Sequence, residues 1–130
     1  MVLKGFHHCL KRNIYGDWRI NNKNMILDLT NIIHLLTEDK LKLINHNEIA
    51  WKGMDNKIPD SINETKDRRF IECNIEYSGI LINNGPNPKN LKYRMIDGTH
   101  RMAKMKMMNI TKSYFYILEM RDIYQYFVEI

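Results

Sequence analysis

The chain has little cysteine. Two residues in 130, Cys9 and Cys73, form neither a CxxC pair nor a disulfide framework. A small scaffold stapled by disulfides is excluded, and a reducing, cytoplasmic interior is the expected setting. No apolar run approaches the roughly 20 residues of a membrane span. The opening stretch, MVLKGFHHCLKR, lacks the long apolar segment of a secretory signal. No second acidic cluster accompanies Asp97, so a paired-metal nuclease centre is not expected. His7-His8-Cys9 invites a metal reading, but adjacent residues rarely converge on one ion and no second ligand cluster completes a tetrahedral site. Ordinary surface or core contacts are expected there.

What is present suits one domain. Hydrophobic residues make up 44% of the chain, enough for a single core at this length. The formal charge is +5 and the isoelectric point about 9.2. That balance is compatible with a solvated Lys/Arg surface and equally with attraction to nucleotides or nucleic acid. Charge alone does not choose between them.

Residues 1–24 carry apolar anchors without clean periodicity, and read as an N-terminal arm or short helix packed on a domain spanning 25–130. Within that domain, Met25 to Leu29 is a short strand. Asn31 to Leu36 is a strand or helical turn, and Thr37-Glu38-Asp39 a turn or helix start. Leu41 to His46 alternates as a strand. Asp60 to Phe70 reads as a short helix. Ile80-Leu81-Ile82 suits a buried strand, and Asn83 to Lys92 a wide polar hairpin loop. Glu119 to Phe127 forms a terminal helix with Met120, Ile123, Tyr124 and Phe127 on one face. His34 and His46 are expected to be structural residues.

Tyr93 to Ile117, YRMIDGTHRMAKMKMMNITKSYFYI, organises the rest. A strand over Tyr93–Ile96 turns through Asp97-Gly98 into a helix over about Thr99–Met108. Asn109 closes the helix, and Ser113 to Leu118 is a further strand. Met102, Met105, Met107 and Met108 form a stripe expected to pack in the core. The helix start presents unpaired backbone N–H groups and the positive end of the macrodipole, an arrangement that welcomes phosphate. Gly98 lets a ligand approach the backbone. Thr99 is placed to cap the helix or donate its hydroxyl. His100 and Arg101 add donors, the latter as a planar fork. Lys104 follows one turn on.

These residues carry a resemblance. Ile96-Asp97-Gly98-Thr99-His100-Arg101-Met102-Ala103, with Asn109-Ile110 and the aromatic strand after it, resembles the ParB/sulfiredoxin superfamily. The likeness covers Gly79 to Leu118 and thins outside it. It implies an α/β (α+β) domain with a small mixed sheet, flanking helices and the box at a strand-to-helix turn. Members include sulfiredoxins, CTP-binding partition proteins and nucleotide-dependent small-molecule kinases. Thr99 stands where sulfiredoxins use cysteine, so sulfinic-acid reduction is not expected. The resemblance implies a nucleotide ligand, ATP or CTP, held by Gly98, Thr99, His100, Arg101 and Lys104, with Arg68 and Arg69 as further phosphate contacts. Magnesium would be expected alongside Asp97 if phosphoryl transfer or hydrolysis occurs. Asp97 and His100 are then the catalytic candidates. Superfamily members often have a strand and a short acidic turn near residue 48, which makes Glu48 a third candidate; its alternative is an exposed loop carboxylate. A non-catalytic nucleotide- or nucleic-acid-binding module, or a protein-interaction domain with a relic box, uses the same residues without chemistry.

Overall fold

The computed structural model describes residues 14–51, 75–87 and 89–129. The expected helix over Asp60–Phe70, both cysteines, His7-His8-Cys9, Arg68 and Arg69 lie outside them.

Among the described residues, eight strands form two sheets with few helices. In chain order the strands are β1 (Ile14–Ile20), β2 (Lys23–Asp28), β3 (Leu41–Asn45), β4 (Ile49–Ala50), β5 (Gly79–Asn83), β6 (Tyr93–Asp97), β7 (Lys112–Glu119) and β8 (Phe127–Glu129). Helix α1 is Thr99–Met107, and α2 is the single turn Met120–Ile123. The first sheet is antiparallel, ordered β1-β2-β8. The second is mixed, ordered β3-β7-β5-β6-β4, with β5 parallel to β7 and β4 parallel to β6. The fold is therefore α+β, with two sheets where one was expected.

The alternation of strand side chains gives the five-stranded sheet two apolar faces. Ile80, Ile82, Ile96 and Leu118 meet Trp18, Ile20, Leu27 and Phe127 of the smaller sheet in one core. Leu81, Tyr93, Met95 and Phe115 meet Met102, Ala103 and Met105 of α1 in the other. Each fully buried Ile, Leu or Phe contributes about 1.5–3 kcal/mol relative to exposure, so β5, buried on both faces, anchors both cores.

The two ends of the sequence depart from expectation. Over the described part of 1–24, the chain is a strand, a turn and the start of a second strand, not a helix. Asn21 and Asn22 have φ of 51° and 64°, the pair of positive values that a two-residue type I′ hairpin needs. Asparagine tolerates this conformation because its short amide bonds locally. At the other end, helix α2 stops after Ile123, and a 3-10 turn leads into β8. Met120, Ile123 and Phe127 are buried as expected, but Tyr124 is exposed. Phe127-Val128 is better used completing a ladder on β2 than prolonging a helix.

Helix α1 ends where the sequence indicated. Asn109 takes φ of 59°. Its N–H bonds the Lys106 carbonyl at 3.1 Å, and that of Ile110 bonds Met105 at 2.9 Å. This is a Schellman closure, with Ile110 packed against the core that holds Met105. The methionine stripe divides: Met102 and Met105 are core, whereas Met107 and Met108 are exposed. Residues 107 and 108 fall past the part of the helix that faces the sheet.

Candidate anion site at the start of helix α1

Strand β6 ends at Asp97, the chain turns at Gly98, and α1 begins at Thr99. Gly98 is the N-cap residue, with φ of 119°, a conformation rarely open to side-chain-bearing residues. Its carbonyl accepts the first helical bond, from the Met102 N–H at 2.8 Å. As a glycine, the N-cap residue has no side chain with which to cap the helix start. The Thr99 hydroxyl, expected as a cap, instead lies 3.7 Å from the Met95 sulfur.

Gly79 at the start of β5 explains how the turn is seated. A Cβ there would collide with the Asp97 carbonyl oxygen and approach the Gly98 Cα to 3.3 Å. Two glycines thus let β5 and the β6–α1 turn touch backbone to backbone. A register shift between Ile80 and Leu81 inserts Ile96 as an extra residue opposite β5. Bulges of this kind redirect a strand end, here at the turn.

Beneath the turn sits an ion pair. Arg101 is 3% exposed and Asp97 is 6% exposed. One guanidinium nitrogen of Arg101 lies 3.5 Å from the Asp97 carboxylate and donates to the Ser78 carbonyl at 3.3 Å. The four-residue spacing on the strand-to-helix turn brings both charges together. The sequence placed Arg101 as a fork reaching outward to phosphate. The structure places it underneath, tying the start of α1 to the residue before β5. Asp97, the candidate catalytic carboxylate and metal contact, is the other half of this pair.

Thr99, His100 and Lys104 are partly exposed around the helix start. Glu48 is not among them. Ile49 pairs in parallel with Tyr93, so Glu48 enters beside the beginning of β6, whereas Asp97 ends it. Tyr93 and Asp97 are separated by about 13 Å of strand. Among the described residues, no group of three or more His, Cys, Asp or Glu side chains is placed to hold a metal. No helix among them is long and apolar enough to cross a membrane.

The two internal histidines have structural partners. His34 meets the Tyr126 ring edge-on at 5.9 Å. His46 Nε2 lies 2.8 Å from the Ser113 hydroxyl, and its ring packs on Phe115. Burial pushes the His46 pKa down, partly opposed by a hydrogen bond that the ring donates to the Ile110 backbone carbonyl. The folded chain therefore binds this proton less readily than the unfolded chain does. Stability should be flat above the ordinary histidine pKa of about 6.5 and fall as pH drops below it. In His46→Gln this part of the acid loss should disappear, as read from urea midpoints at pH 5 and pH 7.5. An unchanged pH slope would remove His46 as its source.

Comparison of the chain with protein-family models, curated proteins and solved structures finds no match.

Proposed function

We propose that this chain is a binding module for phosphate-bearing small molecules, nucleotides foremost, and that the ligand meets the start of α1. The observation that carries the reading is the helix N-terminus at Gly98, where the N-cap residue is a glycine with no side chain of its own and with φ of 119°. Backbone N–H groups and the helix dipole supply the attraction there. Thr99, His100 and Lys104 border it. The resemblance to the ParB/sulfiredoxin superfamily supports the same ligand class, ATP or CTP.

Binding without catalysis is favoured over phosphoryl transfer. The Asp97 carboxylate is buried against a guanidinium, which fits neither a general base nor a magnesium ligand, and Glu48 stands at the far end of β6. Arg101 acts on the ligand through the turn it holds, as a positioning residue.

Thermal unfolding with ATP, CTP, AMP and inorganic phosphate, each with and without magnesium, tests the reading. At a concentration about a hundredfold above the dissociation constant, a bound nucleotide stabilises by about 2.7 kcal/mol. For a domain of this size the midpoint rises by on the order of 10 °C. Gly98→Ala should lose most of that rise, because its Cβ would stand 3.2 Å from the Gly79 Cα on a backbone of positive φ. No rise with any of these ligands would refute the proposal. Steady turnover of ATP or CTP by the wild-type chain would restore the phosphotransferase reading.

A further inference from the structure

At the other end of β5 from the box, the parallel strands β5 and β7 finish side by side, with Asn83 opposite Glu119. The amide of Asn83 donates to one carboxylate oxygen of Glu119 at 3.2 Å, and that of Asn84 donates to the other at 2.9 Å. Asn84 takes φ of 59°, which turns the chain so that consecutive amides reach the same carboxylate. A carboxylate has about four lone-pair sites, and two amides leave acceptor capacity over.

An open cleft of about 170 Å³ is lined by Asn84, Glu119 and Arg121. Arg121 is only two residues from Glu119, yet no hydrogen bond or ion pair joins them. Among the described residues, nothing else pairs with the Arg121 guanidinium. The cleft therefore presents a fixed negative group and an unpaired positive one.

We infer that this cleft is a binding site for a small zwitterion of the α-amino-acid type, its ammonium on Glu119 and its carboxylate on Arg121. A lone metal cation is disfavoured by Arg121 and by amides that turn their N–H groups toward Glu119. A lone anion is disfavoured by Glu119. A ligand carrying both charges satisfies both walls, and Arg121 can grip a carboxylate with two parallel bonds. The volume is about half the roughly 300 Å³ at which drug-sized pockets begin, so the ligand is small.

The test is an NMR titration of the full chain with a panel of L-amino acids, following the side-chain amide signals of Asn83 and Asn84. At least one amino acid should shift them saturably. Acetate and methylammonium, each carrying half of the zwitterion, should bind at least tenfold more weakly. Arg121→Ala should lower amino-acid affinity at least tenfold, with Arg121→Lys between it and wild type. Arg121 is exposed, so the fold survives its removal and the result can be read directly. No saturable shift, equal binding of acetate, or unchanged affinity in Arg121→Ala would each overturn the inference. None of these outcomes depends on whether the start of α1 binds phosphate.

Discussion

Arg101→Ala is expected to lower the free energy of unfolding by about 3–5 kcal/mol, the range for removing one partner of a buried ion pair. The origin is Asp97, which is 6% exposed and loses a cationic partner in a dry site when the guanidinium goes. The Ser78 carbonyl loses a donor as well. Replacing the whole pair by apolar residues, Asp97→Leu with Arg101→Met, should recover most of the loss, because neither charge is then buried. Arg101→Lys should fall between, since a single ammonium lacks the fork that serves a carboxylate and a carbonyl together. Urea denaturation of the four proteins measures all of this. A loss below about 1 kcal/mol in Arg101→Ala, the size of an exposed ion pair, would show that the pair does not hold the turn.

Gly79→Ala is expected to cost about 3 kcal/mol, the upper part of the usual range for overpacking. The added methyl collides with backbone, the Asp97 carbonyl, and stands 3.3 Å from the Phe115 ring. Strand β5 has hydrogen-bonded neighbours on both sides and cannot slide away. Gly85→Ala makes the contrast. Its methyl would meet the Ile82 Cγ2 at 3.0 Å and the Met120 sulfur at 3.2 Å, side-chain atoms that can move. Its midpoint should shift much less. Equal losses at the two positions would mean that the backbone contact at Gly79 is looser than the structure shows.

The centre of this fold was legible because its signals are local. Tyr93–Ile96, Asp97-Gly98, the helical run and Asn109 each state a conformation within a few residues, and the strand, turn, helix and closure follow in that order. Ile80-Leu81-Ile82 announced a buried strand, and the structure buries it on both faces. The outer strands were harder. Asn21-Asn22 is a weaker turn signal than Asn-Gly, so the β1–β2 hairpin went unread. Phe127-Val128 fits a helix face and a strand equally, and only β2 beside it decides.

For the candidate site, residue types were legible and their directions were not. Asp97 and Arg101 were singled out, but no local pattern says whether a guanidinium turns outward to a ligand or inward beneath a turn. That depends on Ser78, 23 residues earlier in the chain. The Glu119 clamp is similarly non-local: Asn83 and Asn84 find it 36 and 35 residues away. Glu48 was placed by analogy with a family pattern, and the pairing of β4 with β6 sets it at the wrong end of the strand for the box.

The two tryptophans sit in different cores, Trp18 between the sheets and Trp51 under the helix. Each has its own cationic neighbour. The Arg94 guanidinium lies 3.6 Å from the Trp18 ring centre, and the Lys106 ammonium 5.9 Å from that of Trp51. Fluorescence can therefore follow the two layers separately in one polypeptide, with no dye attached. A Trp51→Phe protein reports through Trp18 on the small sheet leaving its partner, and a Trp18→Phe protein reports through Trp51 on the helix lifting away. Whether both emissions change at the same denaturant concentration distinguishes a single cooperative unit from a scaffold whose layers melt in turn.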